Sequence, residues 1–312
     1  MDNADRSTGN AIDMLPDGLP RILPPYENGI FKAVLTLPES HAALVSAVAA
    51  FLGRPVKNVS LRNNDAPSRD TSAKQEEYDI NCVVDDEYGD QCDVEMQSSH
   101  MGGDSQSNDH RNIKWRSVFN LCDLHSNQAG SGRSYGQFVR SYQVTLCNYR
   151  VFNGKHELDE RYTFRNQQGK ELCDAVTAIF IDLTRAAKIA KKPASEISDI
   201  EAWVVFFALA GNQKYHNVIK DIASTREGIA VANDTLTHIS QNPDERARFR
   251  SRRIWLQDRE HEQAVMRELQ EANKEKDAKL ADKDAEIAGK DAEIADKDAE
   301  IAALRAQIDT KK

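Results

Sequence analysis

"YDINCVVDDEYGDQCDVEMQ", residues 78–97, decides the fold. It reads as two strands around a turn near Asp85–Gly89. In the first strand Tyr78, Ile80, Cys82 and Val84 share one face, and Asp79, Asn81 and Val83 take the other. In the second, Cys92, Val94 and Met96 alternate with Asp93, Glu95 and Gln97. Superposing the apolar faces sets Cys82 against Cys92, Asn81 against Asp93 and Asp79 against Glu95. Opposed side chains in antiparallel strands lie about 5 Å apart at Cβ, so facing carboxylates repel unless something positive stands between them. A divalent cation such as Mg²⁺ removes that conflict, because it takes oxygen ligands and often uses one or two carboxylates. Gln97 falls on the same face, where its amide can position water or phosphate. By spacing alone, a surface hairpin with a wet acidic side is the favoured reading. The dense apolar face favours a central element instead.

Outward from the hairpin, "NGIFKAVL" predicts a helix from about Asn28 to Leu37. A second begins after Pro38 and ends at Gly53, with Leu44, Val45, Val48, Phe51 and Leu52 inward. "VKNVSLR" reads as a strand, and "NNDAPSRDTSAKQ" as a loop. After the hairpin, "SSHMGGDSQSNDH" reads as a mobile loop. "RNIKWRSVFNLCDLHSNQ" reads as an amphipathic helix with Ile113, Val118, Leu121 and Leu124 inward. "SYQVTLCNYRVF", "RYTFRNQ" and "DAVTAIFIDLT" read as strands. Ser198, three residues before Glu201, has capping-box spacing and predicts a helix start. Helices, strands and helices in this order indicate an α/β or α+β domain. Residues 1–20 read as disordered, 21–255 as the domain and 256–312 as a charged helical tail. In that tail "KDAKLAD", "KDAEIAG", "KDAEIAD" and "KDAEIAA" repeat every seven residues. Leu280, Ile287, Ile294 and Ile301 recur alone, whereas a firm coiled coil needs two apolar positions per heptad. A homodimerising zipper and a solvated helix both remain open, and the poor seam leans toward the second.

Composition narrows the function. The net charge is −9, and 16 acidic and 11 basic residues from Leu256 onward carry −5 of it. That is no general basic surplus, so nucleic-acid binding has to rest on local patches. The five cysteines are odd in number and lack a CxxC pair, and the eight histidines show no HExxH spacing. These features argue against a disulfide framework and a zinc site. No apolar run is long enough for a bilayer, and the N-terminus has no signal-peptide pattern, so the expectation is a cytoplasmic protein without a membrane partner.

The order of "NGIFKAVL", "EEYDINCVV", "CDVEMQ" and a basic helix resembles the PD-(D/E)XK nuclease superfamily. "FKAVL", "DVEMQ" and "YQVTLCNYRVF" look like segments of its transposase-like branch, the recombination-promoting nucleases. The resemblance covers residues 24–255. It implies a restriction-endonuclease-like central mixed sheet flanked by helices, and a metal-dependent DNA endonuclease. Asp79 matches the strand Asp and Glu95 the second acid, the metal ligands of that pattern. Gln97 stands at the Lys position, a replacement that the branch also shows. Asn28 stands where the branch usually has an acid in its first helix. Glu27 beside it and Asp93 are further accessory candidates. The implied cofactor is Mg²⁺, with Mn²⁺ or Ca²⁺ as alternatives.

Arg111 and Lys114 share a helical face with phosphate-binding character, and Arg116 lies on the same helix. Arg246, Arg248, Arg250, Arg252 and Arg253 form the densest basic cluster. Contact with the DNA backbone and pairing with Asp244, Glu245 and Asp258 are equally consistent with it. The alternatives to an endonuclease are a catalytically silent DNA-binding or protein-interaction module and, more weakly, a calcium-binding regulatory domain.

Overall fold

The computed structural model describes residues 14–62, 80–98, 106–129 and 134–309. Apolar residues at helical spacing produce α1 (Asn28–Thr36) and α2 (His41–Leu52), and Gly53 ends α2 with a φ of 69°. The strands are β1 (Val59–Leu61), β2 (Ile80–Val84) and β3 (Gln91–Gln97). After α3 (Gln106–Ser126) come β4 (Ser141–Cys147), β5 (Asp159–Tyr162) and β6 (Val176–Asp182). The chain continues through α4 (Ala186–Ile189), α5 (Asp199–Leu209), α6 (His216–Ala223), α7 (Glu227–Gln241) and α8 (Pro243–Asp309).

The described strands form one mixed sheet in the order β1-β2-β3-β4-β6-β5. β2 and β3 are antiparallel, whereas β3, β4 and β6 run parallel. The hairpin register matches the sequence reading, with Asn81 opposite Asp93 and Cys82 opposite Cys92. β3 is central, with both edges paired, and its residues from Gln91 to Met96 are buried.

The two faces differ in chemistry. Ile80, Cys82, Val84, Cys92, Val94, Val144, Leu146, Ile179 and Ile181 make one face largely apolar. α1 packs against β3 and α2 against β1, and both helices pack on α7. Helices α2 and α7 cross closely, since a Cβ on Gly228 would fall 2.2 Å from the Ser46 Cβ. Trp203, Phe206 and Phe207 of α5 are buried core, and the Ser198–Glu201 capping box forms as expected. α3 covers the other face, against β3, β4 and β6. Under it Ile113 and Leu121 join Cys147, Val176, Ala178 and Phe180 in a second apolar cluster.

Several expectations need correction. The segment after the hairpin is not loop throughout, because α3 already begins at Gln106. Val118 is 55% exposed and shares an outward face with Trp115 and Phe119. Helical periodicity marks an apolar side but not which way it turns. Residues 14–20, expected to be disordered, are ordered and bury Leu19. "RYTFRNQ" contributes only its first residues to β5, which ends at Tyr162. The loop reading of "NNDAPSRDTSAKQ" lies outside the described residues.

The chain divides into two compact units, residues 1–247 and 248–312. The second is the continuation of α8. Glu286 pairs with Lys290 at 2.5 Å and Glu293 with Lys297 at 2.8 Å, both at i,i+4 spacing that supports a helix. Leu280, Ile287, Ile294 and Ile301 are all exposed. Among the described residues no single helix is long and apolar enough to cross a membrane.

Candidate active site

Strand alternation alone sends Asp93 and Glu95 to the α3 side of β3, and the parallel register sets Gln143 beside Asp93 and Thr145 beside Glu95. All four side chains are buried, Glu95 at 2% exposure and the others at zero. A carboxylate removed from water this far needs charge or hydrogen bonds to stay ionised. α3 supplies them to Glu95. Arg116 donates from Nη2 to Oε2 at 2.9 Å, and Asn120 donates from Nδ2 to Oε1 at 2.6 Å. The positive partner demanded by the acidic hairpin therefore includes an arginine of the chain itself.

Around these carboxylates lies a set of buried polar atoms. Ser117 Oγ, Asn120 Oδ1, Thr145 Oγ1 and both amide atoms of Gln143 meet no hydrogen-bond partner among the described residues. Ser117 and Asn120 are three apart on the inner side of α3. Each unmet buried group costs about 1–3 kcal/mol, so the shelf is built for something polar to complete it. At the edge of the shelf Gln97 stands beside Cys147, which pairs in turn with Asp182 of β6. Burial pushes the Cys147 thiol well up, and the Asp182 and Glu95 carboxylates add to the shift. Burial opposes charge on Asp182 too, yet its bonds from Thr184 and His156 hold the carboxyl below its usual range.

The hairpin turn has its own electrostatic clasp. Asp90, fully buried, accepts from Arg54 at 2.6 Å and from two nitrogens of Arg140 at 3.0 Å. Asp86 accepts from Arg54 at 2.5 Å. The Tyr88 ring lies against both guanidiniums, 4.6 Å from Arg140 and 5.4 Å from Arg54. This clasp fixes the end of β3 from which Asp93 and Glu95 project. His125 of α3 bonds Ser141 Oγ at 3.0 Å, and burial lowers its pKa.

The structure sorts the expected site residues. It brings together Glu95, Asp93 and Arg116 and adds Asn120, Ser117, Gln143 and Thr145. Sequence reasoning missed these four because none carries charge, and only the strand register joins β4 to β3. Asp79 and the Arg111 side chain lie outside the described residues. Glu27 flanks the start of α1 without a side-chain capping bond, and Asn28 has a buried Oδ1 with no hydrogen-bond partner among the described residues. Lys114 places Nζ 4.6 Å from the Phe152 ring centroid. Arg248, Arg250, Arg252 and Arg253 are exposed. Arg246 is different. It is buried, paired with Asp17 at 2.6 Å and bonded to the carbonyls of Pro20 and Ser240, so it is a structural clasp rather than a phosphate contact.

A mixed sheet with acidic residues on a central strand, flanked by helices, defines a nuclease-like α/β fold. The family model described as PD-(D/E)XK nuclease family transposase matches residues 25–266, and the chain belongs to that family. No curated protein and no solved structure matches the chain. Nucleases of this superfamily generally use divalent metal ions. The donors on the shelf suit a hard divalent cation: two carboxylates, amide oxygens and hydroxyls, all of them oxygen. Among the described residues no group of three or more His, Cys, Asp or Glu is gathered for a metal. The described carboxylates at this shelf are Asp93 and Glu95.

Proposed function

We propose that the protein is a Mg²⁺-dependent DNA endonuclease that hydrolyses phosphodiester bonds. Asp79 and Glu95 hold the ion, with Asp93 in support, and Gln97 orients water or phosphate from the same face. The observation that carries this reading is Glu95, an acid buried on the central strand of a nuclease-family sheet and held at both oxygens by α3. A divalent cation there supplies Lewis acidity toward the scissile phosphate and acidifies water. The chain does the rest. Asn120 fixes the orientation of Glu95, and the buried shelf restricts bulk water. Arg111, Lys114, Arg116 and the arginines at 248, 250, 252 and 253 contact the DNA backbone. Such contacts position the substrate without reading its sequence, and they weaken as salt rises.

The test is cleavage of supercoiled plasmid with Mg²⁺, with Mn²⁺ and with EDTA, beside Asp79→Ala and Glu95→Ala. Metal-dependent nicking lost in both variants, with their circular dichroism unchanged, is the expected result. Nicking that survives both substitutions overturns the site. A well-folded wild type that binds DNA and never cleaves it supports the silent-module alternative.

A further inference from the structure

Among the described residues α3 gives Glu95 two partners of different kinds, Arg116 and Asn120, and the difference has a functional consequence. Asn120 is neutral and 2% exposed, so it is locked under α3. Arg116 is charged, and its side chain is 43% exposed although it reaches a carboxylate that is 2% exposed. Its long stem spans the boundary between the shelf and solvent. A cation bound at Glu95 competes with Arg116 for the same carboxylate oxygens, and of Arg116 and Asn120 only Arg116 is exposed enough to turn outward without unpacking the helix. Once turned, its guanidinium stays tethered to α3 beside the site. It then presents a planar fork of N–H donors, whose geometry suits a phosphate.

We propose that Arg116 is a displaceable counter-ion: it neutralises Glu95 in the cation-free protein and passes to a DNA backbone phosphate when a divalent cation takes Glu95. This rests on the reading of Glu95 as a metal ligand. Arg116 thereby couples the two binding events. It competes with the cation for Glu95, so it weakens metal binding while DNA is absent. DNA that engages Arg116 removes the competitor. By linkage, the factor by which duplex tightens the cation equals the factor by which the cation tightens duplex. At a given cation concentration the site is therefore more fully occupied where a phosphate backbone is present.

The experiment uses the full chain, with Mn²⁺ binding followed by the electron paramagnetic resonance of the free ion. Duplex binding is followed by fluorescence anisotropy with Ca²⁺, under conditions where no cleavage occurs. Arg116→Met, which keeps the length and removes the charge, is expected to bind Mn²⁺ about five- to tenfold more tightly than wild type without DNA. It is also expected to lose most of the Ca²⁺-induced gain in duplex affinity. Arg116→Lys is expected to keep the weak Mn²⁺ binding. Unchanged or weaker Mn²⁺ binding by folded Arg116→Met overturns the proposal. If that variant does not fold, wild type decides: Mn²⁺ affinity that does not rise with duplex overturns it too. Glu95→Gln separates the two readings. If it leaves Mn²⁺ binding intact, the metal-ligand reading of Glu95 fails, whatever Arg116 does.

Discussion

Arginines six and seven residues apart in "RARFRSRR" look alike in the sequence and do different things in the molecule. Arg246 is buried against Asp17 and main-chain carbonyls, while Arg252 and Arg253 face solvent. Removing one partner of a buried ion pair leaves the other desolvated, so Arg246→Ala is expected to destabilise the protein by about 3 kcal/mol in urea unfolding. Its effect on the salt dependence of DNA binding is expected to be nil. Replacing Arg252 and Arg253 together by Ala reverses the pattern: stability holds, and the slope of log affinity against log salt falls by about 2. At Asn120 the expected loss is catalytic. Its amide orients Glu95, and removing such an outer partner typically costs about 10- to 100-fold, so Asn120→Ala should cut plasmid nicking by that factor while the fold survives.

The β2–β3 hairpin shows what an element adds beyond its residues. Burial opposes charge on Asp86, but Arg54 and the amides of Tyr88 and Gly89 outweigh it and hold the carboxyl below its usual range. Asp182, capping the end of β6, is lowered in the same way. Both groups therefore lend stability that is complete above the unfolded carboxylate range near pH 4 and is lost as pH falls through their lower folded values. The urea midpoint of wild type is expected to be flat from pH 7 to about 5 and to fall below about 4. Asp182→Asn should start lower and fall less. Much of this element was legible. The register followed from period-two alternation, and Asn81 against Asp93 and Cys82 against Cys92 stand as read. The clasp was not legible, because Arg54 and Arg140 lie 36 and 50 residues from Asp90 and only the folded sheet joins them. The outward turn of Trp115, Val118 and Phe119 was equally hidden, since α3 has a polar inner side where it covers β3 and β4.

For the whole molecule, the sheet, its helices and the family were readable from the order of acidic strand, hairpin and basic helix. The family match over residues 25–266 nearly coincides with the resemblance read at 24–255 and stops before the heptads. Those heptads present single exposed apolar residues, with Lys or Asp at the companion positions, and their charges are met within the helix by Glu–Lys pairs. Such a seam offers a second strand only one apolar position per heptad to pack on. A chain ending at Met266 is expected to keep the circular dichroism of its domain, its plasmid nicking and the same number of chains per particle in sedimentation. A change of particle size on truncation would show that the tail is an assembly device.

The thiols record the layering of the fold in a way that can be timed. All five cysteines are free; Cys122 and Cys173 are exposed, whereas Cys82, Cys92 and Cys147 are buried in or against the sheet. A short pulse of an alkylating reagent should therefore add two labels at once and leave three masses to appear only as the sheet opens. Cys82 and Cys92 face each other across the hairpin and Cys147 lies on β4, so the order in which their labels arrive tells which side of β3 lets go first.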